Sequence, residues 1–231
     1  MLFRSAEALR QEITSGGRQS AQDRFIALTA LIAQAGAQSK LVSKEKRKEL
    51  IDSFFEEYYA IVDGLEANQE NFIVRFKSGN TMLQALFVLY NEGRHDKLIA
   101  EIVRFLPSMR LFYKASNFTS WPEALNLFLY VHMLLAMSTG EWLTQHGYAT
   151  KPGHPLQEIK TLALVMMAQG AELLKDADPD NQLIGMVRAN LGNMLEKTNE
   201  AREDLFSDGA ELADVDELIE KKYNEYASQK N

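Results

Sequence analysis

The stretch from Ala124 to Met137, ALNLFLYVHMLLAM, leaves this chain little choice of fold. It is apolar on every side of a helix, so it reads as a buried helix. It carries Asn126 and His132 and is shorter than the ~20 residues a bilayer core needs, so it does not read as a membrane span. Around it, apolar residues recur at spacings of three and four rather than two, the period of helices.

That period predicts helices at Leu2–Thr14, Ala21–Ala35, Ser43–Val62, Ala67–Phe76, Thr81–Tyr90, Asp96–Phe105 and Met109–Ala115. Ser120-Trp121-Pro122-Glu123 then reads as a helix start, with Ser120 as cap and Pro122 in the first turn, where no N–H partner is needed. That helix should run to His146. Pro155 opens one to Lys175, Asp178-Pro179 one to Leu205, and the last covers Glu211–Ala227. Of the 22 aromatic residues, 17 fall between Phe54 and Tyr148, which places the expected core at residues 43–150. The expected fold is all-α, about ten helices arranged as antiparallel hairpins or a bundle. Residues 1–206 would form one helical domain, and residues 207–231 a C-terminal amphipathic helix, docked or partner-binding.

Composition excludes several chemistries. Without cysteine, the chain has no disulfide, thiolate zinc site or thiol nucleophile. The net charge of −7 argues against non-specific nucleic-acid binding, which needs clustered Lys and Arg. The charge is uneven: residues 1–120 carry 16 basic and 14 acidic side chains, residues 121–231 carry 9 and 18. Such polarity can orient a partner or a second subunit. Lys40–Leu50 holds five basic residues, but its helical spacing and lack of aromatics fit a solvated helix turn. The N-terminus has charges throughout and no apolar signal region, so a cytoplasmic location is expected. No Gly-x-Ser-x-Gly, Walker-type loop or Gly-x-Gly-x-x-Gly occurs.

Three stretches invite metal chemistry. Glu92 and His95 stand three apart, half of a carboxylate-bridged di-iron set. Gly93 between them breaks the helix such a pair needs, and no second Glu-x-x-His occurs, so Glu92–His95 reads as a turn between two helices. Asp176–Val187, DADPDNQLIGMV, places Asp at relative positions 1, 3 and 5 of a calcium loop. Asn181 stands where Gly is needed and Val187 where a bidentate Glu is needed, so Asp178 reads as a helix cap. His132 has only Glu141 as a nearby downstream acid, on a different face, and reads as a core histidine. No metal and no cofactor is expected.

The hairpin NEGRHDKLIAEIVRFLP, Asn91–Pro107, resembles a helix-turn-helix unit of the tetratricopeptide type, with Leu98 where that motif favours Ala. Glycines in STGEWL (Gly140) and AQGAEL (Gly170) echo it without the fixed period of an array. The resemblance implies a stack of helical hairpins in preference to a simple four-helix bundle.

In the last segment Leu212, Val215, Leu218, Ile219, Tyr223 and Tyr226 form one apolar stripe opposite an acidic face. An isolated helix of this length is marginal in water, so the stripe must dock on its own core, on a twin, or in a partner's groove. The leading expectation is a non-enzymatic protein-interaction module, an adaptor, chaperone-like or inhibitory partner of another protein, with homo-oligomerisation as a further option. The alternative is a helical small-ligand binder or enzyme with a pocket among Tyr90, Tyr113, His132 and Met166.

Overall fold

Ser43 opens the first described helix: its Oγ accepts from the backbone N–H of Lys46 at 3.2 Å. The structure, a computed structural model, describes residues 43–63, 69–114 and 118–229, with the side chains of 69–75 excepted. The expected helices at Leu2–Thr14 and Ala21–Ala35, and the start of the basic stretch at Lys40, lie outside these residues. Eight α-helices and two short 3-10 turns follow, and no strand occurs among the described residues. They are α1 (Lys44–Asp63), α2 (Gln69–Asn91), α3 (His95–Tyr113), α4 (Pro122–Gln145), α5 (Pro155–Ala177), α6 (Gln182–Leu191), α7 (Leu195–Ser207) and α8 (Leu212–Gln229). The 3-10 turns are Phe118–Ser120 and Gly192–Met194.

Among the described residues, four of the expected helices merge into two. Ala67–Phe76 and Thr81–Tyr90 belong to one helix, because Ser78 and Gly79 do not stop it: Ser78 is buried, bonded to Tyr58 at 3.2 Å. Asp96–Phe105 and Met109–Ala115 likewise merge. Pro107 sits inside α3, where it forgoes one i→i−4 hydrogen bond without ending the helix. The segment Asp178–Leu205 divides instead into α6 and α7 at Gly192, whose φ of 50° is outside the right-handed helical region. Asn181, not Asp178, caps α6 by accepting from the Leu183 N–H at 3.0 Å. Trp121, not Ser120, takes the N-cap position of α4, with Pro122 in the first turn as expected.

The chain divides into two units, Met1–Val88 and Leu89–Asn231, and the last helix belongs to the second. In the first unit, Ile51, Phe54, Phe55 and Tyr58 of α1 and Met82, Ala85 and Leu86 of α2 are buried. The Phe54 and Phe55 rings meet edge to face at 5.3 Å.

In the second unit, α4 packs against α3 and α5, and α8 packs against the same two helices. The four close into a ring of bundle type rather than a stack of hairpins. α6 and α7 lie on the outside of α5. The Ala124–Met137 stretch is inside this ring: Leu125, Phe128, Val131, His132 and Leu135 have no exposed surface. Of the three glycines that suggested repeated turns, only Gly93 makes one, at φ 68°. Gly140 and Gly170 lie within α4 and α5. A Cβ on Gly170 would fall 2.6 Å from the Phe128 ring and 2.8 Å from Leu129 Cδ2. A Cβ on Gly140 would lie 3.5 Å from Lys160 Nζ. These contacts run α4 and α5 antiparallel, and Gly170 lets the two come close.

Candidate functional site

Two sites are expected from the sequence, the stripe of the last helix and a pocket around His132. The structure joins them through a residue that belonged to neither. Asp216 of α8 is buried in the ring, and its Oδ2 accepts from the Tyr113 hydroxyl of α3 at 2.7 Å. Its Oδ1 lies 3.0 Å from Nε2 of His132 on α4. The opposite ring nitrogen, Nδ1, is 2.9 Å from the Phe128 carbonyl, which can only accept. Nδ1 therefore carries a hydrogen. At Nε2 the imidazole is hydrogen-bonded to the Asp216 carboxyl. Burial, together with the adjacent Asp216 carboxylate, raises the Tyr113 phenol well above its ordinary range, so Tyr113 is a donor throughout the neutral region.

This network fastens α8. Arg110, one turn before Tyr113, grips Glu220, one turn after Asp216, through both guanidinium nitrogens. The Tyr226 hydroxyl donates to Asp96 at 3.0 Å, and Lys222 pairs with Glu158 of α5 at 2.8 Å. Within the expected stripe, Val215, Ile219 and Tyr226 are buried against the chain's own helices. Leu212 and Tyr223 are half-buried, and Leu218 is 39% exposed. Among the expected pocket residues, Tyr113 and His132 meet on Asp216, whereas Met166 is fully buried in α5 and Tyr90 stands elsewhere. The His132 ring is enclosed by side chains, with the Phe128 ring at 4.4 Å.

Tyr90 lines a cleft of about 280 Å³, close to the lower end of the ~300–1,000 Å³ typical of small-molecule sites. Its floor is Ala136, Met137, Leu164, Met167 and Met194; its polar groups are Tyr90, Glu141, Thr144, Lys160 and Asn190. The helical period places Met137, Gly140, Glu141 and Thr144 on one face of α4, and Lys160, Leu164 and Met167 on the facing side of α5. The Thr144 hydroxyl is used by the Gly140 carbonyl, and the Asn190 amide N–H group by the Met186 carbonyl. Burial and the Glu141 charge together raise the Tyr90 phenol, which holds it as a neutral donor facing the cleft. Glu141 and Lys160 line the same cleft, and neither forms an ion pair among the described residues.

No protein-family model, curated protein or solved structure matches the chain.

A second aromatic group closes the end of the bundle at the α4–α5 connection. Trp142 stacks on His146 at 4.0 Å and lies parallel to Tyr148 at 6.1 Å. His154 packs on Tyr148 at 4.6 Å and caps α5, its Nδ1 accepting from the Leu156 N–H at 3.2 Å. Among the described residues, no group of three His, Asp or Glu side chains is placed to hold a metal ion. His95 is buried at the start of α3 beside the Gly93 turn, with the Tyr90 ring at 5.6 Å. No described helix is long and apolar enough to cross a membrane.

Sequence reasoning missed Asp216, Glu141 and Lys160. Asp216 had a signal: it falls between Val215 and Ile219 on the face that must be buried. Glu141 and Lys160 carried none, because a charged residue on an amphipathic helix ordinarily faces water.

Proposed function

We propose that the second unit is a small-molecule binding module whose site is the cleft between Tyr90, α4 and α5. The observation that carries this reading is the pairing of a methionine-rich floor with a carboxylate and an ammonium that leave each other unpaired. Apolar clefts with a few convergent polar groups are the usual form of ligand sites, and thioethers adapt to varied apolar shapes.

The protein-interaction reading draws less from the geometry. It calls for an exposed apolar groove, and the large hydrophobic side chains exposed among the described residues are only Tyr148, Met186 and Leu218, on different elements. Of the α8 stripe, Val215, Ile219 and Tyr226 pack against the chain's own helices, while Leu218 stays exposed.

Methyl-labelled methionine NMR tests the proposal. A library of small amphipathic molecules should contain members that shift the Met137, Met167 and Met194 methyl signals and leave Met82 and Met109 unmoved. Thr144→Trp, at the exposed rim, should abolish the shifts. A library that moves none of the three, or moves them equally in the Trp variant, overturns the reading.

A further inference from the structure

The arrangement of charges in the cleft specifies more than a hydrophobic guest, and the step from here rests on the cleft being a ligand site. Glu141 and Lys160 sit on facing helices, in a cleft of only about 280 Å³, without forming an ion pair. With no side chain at Gly140, Lys160 lays its last carbons and ammonium against α4, and even a Cβ there would lie only 3.5 Å from Nζ.

The remaining polar groups divide in the same way. Lys160 and the neutral Tyr90 phenol offer N–H and O–H donors. The Glu141 carboxylate and the Asn190 side-chain oxygen offer acceptors; the Asn190 nitrogen is already engaged by the Met186 carbonyl and by Met133 Sδ. A ligand with a single charge would satisfy one half and leave the other bare. A ligand bearing both an ammonium and a carboxylate satisfies both.

We infer that the cleft binds a small zwitterion with an apolar body, of the chemical class of a free α-amino acid with a large apolar side chain. Its ammonium faces Glu141, its carboxylate faces Lys160, and its side chain rests on Met137, Met167 and Met194.

The test is calorimetric titration of the full chain with L-methionine, L-leucine and L-phenylalanine, each beside its N-acetyl and its carboxamide form. Indole serves as an uncharged apolar probe. At least one free amino acid should bind, and masking either charge should weaken it about tenfold or more, since each mask removes a charge-assisted hydrogen bond. Lys160→Met should erase the preference for the acid over the carboxamide, and Glu141→Gln the preference for the free amine over the N-acetyl form. Circular dichroism of both variants confirms that they are folded; each change is at a surface cleft. If the masked forms or indole bind as well as the free amino acid, the zwitterion assignment is overturned while the cleft stands as an apolar site. If nothing in the panel binds and the methionine methyls also stay silent to the wider library, both readings fall.

Discussion

His132 Nε2 and Asp216 Oδ1 lie 3.0 Å apart at the centre of the second unit, both side chains fully buried and separated by 84 residues of sequence. A buried pair of this kind adds little net stability over an apolar pair of the same volume, yet removing one member strands the other. Asp216→Ala should therefore destabilise by about 3–5 kcal/mol, read as a lowered urea midpoint. His132→Ala in the same background should add much less than it does alone, because the partner is already lost. Strict additivity of the two would show that the side chains do not act as a unit.

The facing helices supply an internal comparison of two glycines. Gly170→Ala drives a methyl into the Phe128 ring, where the distance would be 2.6 Å. Overpacking of this kind costs about 1–3 kcal/mol. Gly140→Ala meets only the end of Lys160, at ordinary contact distance, and alanine is the better helix former by about 1 kcal/mol. Thermal denaturation should then show the first variant melting lower than the parent and the second at or above it.

His154 links stability to pH. Its Nδ1 accepts the Leu156 N–H, and burial holds its pKa below the usual histidine value. A depressed histidine favours the neutral form in the folded state, so the unfolded chain binds the proton more readily. The stabilisation is complete above about pH 6.5, the unfolded value, and is lost as pH falls through the lower folded value. His154→Asn keeps a capping acceptor that does not titrate. Urea midpoints at pH 7.5 and pH 5 should fall further apart in the parent than in this variant; equal gaps would remove His154 as the source.

Gly93 stands at φ 68° with open space where a Cβ would point. The penalty of Gly93→Ala is then conformational alone, about 1–2 kcal/mol for a left-handed L-residue. Gly93→Asn should recover part of it, because asparagine tolerates this region better. An alanine variant as stable as the parent would place the turn in another conformation.

The helical class and most helix starts were legible because they rest on local rules: the 3.6 period, Ser43 as cap, Pro122 and Pro155 in first turns. Boundaries failed where tertiary packing overrode those rules. Pro107 reads as a stop but is carried within α3, flanked by buried Leu106 and Met109. The ring of α3, α4, α5 and α8 was not legible, since amphipathic stripes say which face is buried and not against what. His132 was recognised as a core histidine, but only nearby acids were weighed as its partner. The true one, Asp216, is a long-range contact and looks like part of an acidic surface until α8 is docked. The cleft depends on which unpaired charges two facing helices bring together, a property of register that neither helix declares alone.

The position of α8 in the ring has a consequence for how the protein is made. Synthesis delivers α3, α4 and α5 well before the helix that completes their packing. A nascent chain that has reached residue 206 holds His132 without its carboxylate, Arg110 without Glu220, and an open side of the bundle where Val215 and Ile219 belong. Closing it joins Asp96 to Tyr226 across 130 residues, a long loop to shut before any contact rewards it. Until α8 docks, α3 and α5 lack the cover that Val215 and Ile219 give them, and the packing of the second unit is incomplete.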